Sequence, residues 1–195
     1  MPGEIWLVRH GETEWSRSGA HTGRTDLPLT SAGRQEAAAI ARRLAGKRFA
    51  LVLTSPLQRA LETCRLAGYG NAAQIEPNLL EWEYGDYEGR TTADIRKEVP
   101  GWNPWIAGFP RGEAIDQVAA RARAVIDCVW QSEGDVALFA HGHILRILTA
   151  CWLALPPTCG RLFALSTASL SSLGHEREAR VITRWNQTCA TEPND

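Results

Sequence analysis

The sequence predicts an α/β fold, with a mainly parallel, twisted sheet and helices on both faces. Three observations carry that expectation. Short apolar runs of strand length (Ile5 to Val8, Leu51 to Leu53, Val136 to Ala140) alternate with segments of helical periodicity. The runs are apolar throughout, as expected of strands covered on both faces. Two of them stop at a histidine followed by glycine, His10-Gly11 and His141-Gly142. In α/β sheets that edge is where ligands bind.

In chain order, Ile5 to Val8 is the first strand. Thr30 then caps a helix with Ala37, Ile40, Ala41 and Leu44 on one face, stopped by Gly46. Leu51 to Leu53 is the second strand. Ser55-Pro56-Leu57-Gln58 follows with the spacing of a capped helix start: serine at the N-cap, proline first in the helix, and glutamine completing a capping box. That start puts Arg59 in the first turn. A weaker strand is expected at Ala73 to Ile75.

From Tyr84 to Gly112, glycines and prolines interrupt every pattern, around one short helix at Ala93 to Val99. This reads as a small cap insertion (about 84–112) within a single domain spanning 1–195. Its Trp102, Trp105 and Phe109 are expected to line the substrate side of a pocket. Ile115, Val118, Ala122, Val125, Ile126 and Val129 form the next helical face. The strand ending at His141 and a helix over His143 to Leu155 come after it. The segments 168–173 and 179–185 alternate like a hairpin, with His175 expected in its turn.

Composition narrows the class. The 195 residues suit one ordinary domain, and 21 basic against 22 acidic residues leave a net charge of −1. No basic run suggests nucleic acid or an anionic membrane surface, and no apolar stretch reaches membrane-spanning length. Neither partner is expected. The five cysteines, Cys64, Cys128, Cys151, Cys159 and Cys189, have no C-x-x-C spacing and read as reduced thiols. With no leader pattern at the start, a cytoplasmic location is expected.

The chemistry-bearing residues point to phosphate. Breaking a phosphate ester needs a nucleophile, positive charge around the equatorial oxygens, and an acid for the leaving oxygen. His10 can attack as neutral imidazole, and Arg9 and Arg59 present forked donors that match phosphate oxygens. His141, beside a helix N-terminus, can donate to the phosphoryl group. Glu81 leads as the proton donor, with Glu83 two residues on as its rival. Singly, each has a plainer reading, such as a satisfied strand-end histidine or a solvated helix arginine. A first-turn position is electrostatically poor for Arg59, however, and a bound anion would offset that. His21 and His143 read as solvent-exposed residues at the pocket's edge.

Arg9-His10-Gly11, Arg59 within Ser55-Pro56-Leu57-Gln58-Arg59-Ala60, Glu81 within Leu80-Glu81-Trp82-Glu83-Tyr84-Gly85, and His141-Gly142 together resemble the histidine phosphatase superfamily. Its fold is the phosphoglycerate-mutase-like one. The likeness runs from about Glu4 to Trp185 with the motifs in the family's order. It implies that His10 is the phosphorylated nucleophile and that Arg9, Arg59 and His141 form the phosphate pocket. It also favours Glu81 over Glu83 as the group that protonates the leaving oxygen and then activates water. Thr22-Gly23 matches the family's small phosphate- or substrate-contacting pair, and Gly142 joins the substrate side. Ser16 falls where many relatives place asparagine, a departure from the pattern. No metal and no cofactor are implied.

The mutase branch of that family places a lysine eleven residues after the acid, where this chain has Thr92, and an arginine pair that isolated Arg90, Arg96 and Arg111 do not reproduce. The wording around Thr13-Glu14-Trp15-Ser16, Thr22 to Thr30, Glu81 to Gly89 and Phe139 to His143 resembles the sugar-bisphosphatase and acid-phosphatase branch. The expectation is therefore hydrolysis of small phosphomonoesters, sugar phosphates or bisphosphates, with an acidic optimum. A phosphoglycerate mutase and a non-catalytic phospho-ligand module are the alternatives. Relatives form homo-oligomers through sheet edges or helices, although no diagnostic patch marks one here.

Overall fold

Consecutive strand residues point to opposite faces, yet every side chain from Ile5 to Val8 is buried, so β1 (Ile5–Arg9) must be covered on both sides. The computed structural model, which describes residues 2–188, shows that covering. Ile5 and Leu7 enter one apolar cluster, and Trp6 and Val8 enter another. β2 (Leu51–Thr54), β3 (Ala73–Ile75) and β4 (Val136–Ala140) continue the sheet in parallel, while β5 (Leu170–Glu176) and β6 (Ala179–Gln187) complete it antiparallel. The strand order is β3-β2-β4-β1-β5-β6. Mostly parallel, with an antiparallel edge hairpin, is the expected sheet.

On the Trp6 and Val8 face lie α2 (Ser31–Arg43) and α3 (Gln58–Leu66), which contribute Ile40 and Cys64. On the other face lie α6 (Ile115–Trp130) and α7 (Gly142–Trp152), whose apolar faces pack with Leu7 and Leu138. The short helices α1 (Glu14–Ser18), α4 (Thr92–Glu98) and α5 (Pro104–Ala107) sit in the connections. Thr30 caps α2 as expected, its hydroxyl accepting Gly33 N–H at 3.0 Å.

β4 enters the sheet between β1 and β2, so the loops that leave these three strands are neighbours. Two hydrogen bonds join them directly: His10 N–H donates to the Ala140 carbonyl at 3.0 Å, and Ser55 N–H to Phe139 at 2.9 Å. The loop after β1 lies flat against the start of α2. A Cβ on Gly11 would come within 2.3 Å of the Gly33 carbonyl oxygen, so both positions require glycine.

Three expectations need correction. α3 begins at Gln58 with Leu57 at its cap, later than the expected Ser55 cap: Ser55 is fully buried, and its Oγ accepts Leu57 N–H only at 3.4 Å while it pairs with His141 Nε2 at 2.7 Å. Asp26 supplies the cap from outside, accepting Gln58 N–H at 2.8 Å. Trp102, Trp105 and Phe109 do not line the substrate side. They are buried in the same apolar cluster as α6 and α7, stacked edge-on with Trp82 and Tyr87. Burying these large rings outweighs leaving them at a wet cavity wall. His175 lies within β5, opposite Arg180, with its ring against Trp130 and Trp152. Cys64, Cys128, Cys151 and Cys159 are free thiols, Cys128 exposed, and Cys189 falls outside the described residues.

Candidate active site

A cavity of about 210 Å³ opens where the β1 and β4 loops meet the segment around Glu81. Arg9, His10, Ser16, Thr22, Glu81 and Gly142 all line it. These come from elements far apart in sequence that the sheet topology brings to one edge.

His10 is buried, and its Nδ1 lies 2.7 Å from the Gly11 carbonyl oxygen. A carbonyl only accepts, so Nδ1 carries the proton and Nε2 keeps its lone pair. Burial, followed by the nearby Arg59 and Arg9 charges, holds the His10 pKa well below its ordinary value of 6.5. The imidazole is therefore neutral and nucleophilic at its Nε2. Gly11 N–H is in turn fixed by Thr63 Oγ1 at 3.1 Å.

Arg9 is tethered by Nη1 to the Leu165 carbonyl, while its buried Nε has no hydrogen-bond partner among the described residues. An unpaired buried donor is costly unless a ligand satisfies it. Arg9 as a residue lines the cavity beside His10, where its guanidinium can meet a phosphoryl oxygen.

Arg59 and His141 lie behind that wall rather than on it. Arg59 is fully buried and donates to the carbonyls of Thr25 at 2.9 Å, Gly23 at 2.8 Å and Thr22 at 3.2 Å. These carbonyls, as well as an anion, offset a cation in the first helical turn. Its Nε donates to His141 Nδ1 at 3.1 Å, so the His141 proton is on Nε2, facing Ser55 Oγ. Burial and the Arg59 charge hold His141 well below 6.5. The two histidine rings stand 5.2 Å apart, centroid to centroid.

Gly23 also stands behind the lining. A Cβ there would come within 2.6 Å of both Glu88 Oε2 and the Trp82 carbonyl oxygen, so the glycine permits a close crossing of chains. Ser16 faces the cavity, but its hydroxyl closes the α1 capping box with Thr13, accepting Thr13 N–H at 2.9 Å.

The structure separates Glu81 from Glu83. Glu81 is buried on the cavity and Glu83 is exposed. The Glu81 carboxyl accepts three backbone N–H bonds, from Trp82 and Ile144 on Oε1 and from His143 on Oε2, each 2.9 Å. Two of those donors belong to the first turn of α7. Arg121 secures the segment from behind, donating to the Asn78 and Leu80 carbonyls at 2.8 Å while paired with Glu113 at 2.7 Å.

His21 and His143 are not solvent residues: both line the cavity, together with Tyr84, Arg146 and Leu165. Burial lowers the His143 pKa well below 6.5, brings His21 to about 4, and raises Tyr84 well above 10. The Tyr84 hydroxyl and His143 Nδ1 form a hydrogen bond of 2.6 Å between two neutral groups. Tyr84, Arg146 and Leu165 escape a sequence reading. Arg146 carries the one available signal, since it falls three residues after His143 on the same helix and shares its face.

Comparison with known proteins agrees with this geometry. The profile of the histidine phosphatase superfamily (branch 1) matches residues 5–188. The chain is 38% identical over 194 residues to an acid phosphatase of Mycobacterium tuberculosis, covering 97% of this chain and 95% of that protein. It is 37% identical over 182 residues to the sedoheptulose 1,7-bisphosphatase of Saccharomyces cerevisiae, covering 76% of this chain and 67% of the relative. A crystal structure of an open-reading-frame product from M. tuberculosis superposes with a TM-score of 0.88 at 36% identity, over 95% of this chain and 98% of that one. The α/β sheet, the four motifs at its edge and the family profile agree: the chain belongs to the histidine phosphatase superfamily.

Proposed function

We propose that this protein is a phosphomonoesterase that hydrolyses small phosphorylated metabolites through a phosphohistidine at His10. One observation carries the reading. A neutral histidine with its proton held on Nδ1 shares a cavity with an arginine whose Nε has no partner among the described residues and with a carboxyl on a helix N-terminus. His10 Nε2 attacks phosphorus, the bond to the ester oxygen breaks, and Glu81 gives that oxygen its proton. Glu81, now ionised, takes a proton from water as the water oxygen attacks phosphorus. The phosphorus–nitrogen bond then breaks and free phosphate leaves. Arg9 meets the charge on the equatorial oxygens throughout, with Arg59 adding its field from behind.

The acid phosphatase and sugar bisphosphatase relatives support a substrate class of phosphorylated metabolites such as sugar phosphates. The free thiols support a reducing, cytoplasmic setting, and no described helix is long and apolar enough to cross a membrane. The test is phosphate release from sugar mono- and bisphosphates, 3-phosphoglycerate and p-nitrophenyl phosphate, with His10→Ala as control. Release that disappears in His10→Ala and survives EDTA is expected. Conversion of 3-phosphoglycerate to 2-phosphoglycerate without release would instead make the protein a mutase. EDTA-sensitive release, restored by a divalent ion, would overturn the metal-independent reading.

A further inference from the structure

We propose that Arg146 is the specificity-determining residue for a second anionic group on the substrate, so that the preferred substrates are phosphomonoesters with a further phosphate or carboxylate. This rests on the phosphatase reading above. Arg146 lines the same cavity as Arg9 and His10, but the chemical step has no use for it. Among the described residues, no carboxylate lies within 4.0 Å of its guanidinium, whereas Arg121 behind the site is paired with Glu113.

The group is also held ready. Its Nε donates to the Gly160 carbonyl at 3.0 Å and Nη2 to the Arg161 carbonyl at 3.3 Å, and the guanidinium carbon sits 4.6 Å from the Trp105 ring centre. Nη1 makes no hydrogen bond to the described residues. Gly160 lets the loop come this close, because a Cβ there would be 2.7 Å from Trp105 Cζ3. A guanidinium fixed on three sides loses little further freedom when it takes an anion, which favours binding.

The cavity wall also carries the His143 and Tyr84 pair, which is uncharged at neutral pH. The lining is thus cationic at Arg9 and at Arg146, with the Glu81 carboxyl and neutral polar groups between and beside them. That pattern suits a short hydroxylated carbon chain bearing an anion at each end. An aryl phosphate with a single anionic group would use the first cation and leave the second idle.

The test compares wild type, Arg146→Gln and Arg146→Lys on fructose 1,6-bisphosphate, 3-phosphoglycerate and p-nitrophenyl phosphate. The readout is the ratio of kcat/KM on each two-anion substrate to that on p-nitrophenyl phosphate. In Arg146→Gln at least one ratio should fall about tenfold or more through KM, and Arg146→Lys should restore part of it. The substrate whose ratio falls tells a second phosphate from a carboxylate. Ratios unchanged in Arg146→Gln, whether or not all activities fall together, would overturn the proposal and leave Arg146 as a brace for the Gly160 loop. Calorimetric binding of fructose 1,6-bisphosphate and of inorganic phosphate to the same three proteins separates this from the phosphatase reading. If no turnover is found, selective weakening of the bisphosphate in Arg146→Gln still supports the second anion site, and equal binding still removes it.

Discussion

Arg59 Nε donates to Nδ1 of His141 at 3.1 Å, which fixes the His141 proton on Nε2 and aims it at Ser55. The same guanidinium gathers the carbonyls of Thr22, Gly23 and Thr25. One side chain therefore joins the connection between α1 and α2, the start of α3 and the end of β4.

Arg59→Lys tests that junction. A compact ammonium cannot serve these divergent acceptors, and buried carbonyls left without donors cost about 1–3 kcal/mol. A urea unfolding curve should show a loss of that order, and kcat/KM should fall about 100-fold or more as the field and the His141 geometry are lost. Unchanged unfolding and activity would mean that the arginine is dispensable.

The pH dependence of catalysis follows from His10. Its pKa lies well below 6.5, chiefly through burial and then through Arg59 and Arg9. His10, the proposed nucleophile, thus stays neutral as the pH falls through 6.5, and kcat/KM should show no loss of activity centred there. An acidic limb near 6.5 that shifts upward in Arg59→Gln would contradict this, by showing that His10 does protonate at its ordinary value.

Folding stability should behave differently. His10, His21, His141 and His143 all have folded pKa values below 6.5, His21 at about 4. Above pH 6.5 these groups are neutral in both states and add no pH dependence. Below it, the unfolded chain binds protons that the folded protein excludes, so stability is lost as the pH falls from 6.5 towards about 4. Thermal melts between pH 7.5 and 4.5 should show Tm dropping through that window. A flat Tm would show that the histidines titrate alike in both states.

Glu81→Gln replaces one acceptor oxygen with an amide that faces backbone donors already aimed at the carboxyl. On the proposed mechanism it also removes the proton that the leaving oxygen needs. Loss of a positioned general acid lowers rates about 100- to 10,000-fold. For the transfer to His10, followed by a rapid burst, the loss should be larger with an alkyl phosphate than with p-nitrophenyl phosphate, whose leaving group needs little protonation. Equal losses on both would argue that Glu81 only shapes the cavity.

The parts of the site written within one segment were legible in the sequence. β1 and β4 are apolar runs that end at His10 and His141, so placing those residues required only the strand period and the glycine that follows. Glu81 was legible through its motif, but only its burial on the α7 N-terminus sets it apart from exposed Glu83. Contacts between distant segments were hidden. Ser55 reads as a helix cap until a histidine 86 residues away claims its hydroxyl. Trp102 and Phe109 read as a cavity wall until the core beneath them proves the better place for large rings. His143 reads as exposed until Tyr84, 59 residues before it, covers Nδ1. Burial of this kind depends on which surfaces meet, and no local pattern encodes that.

The most direct test of the central claim is rapid acid-free quenching of the enzyme during turnover of p-nitrophenyl phosphate, followed by mass spectrometry under alkaline conditions that preserve phosphohistidine. The account predicts a phosphoryl group on His10 that forms and decays at rates compatible with turnover, and that is absent, together with phosphate release, in His10→Ala. Undiminished phosphate release by a folded His10→Ala protein, or a phosphoryl group on another residue, would contradict it.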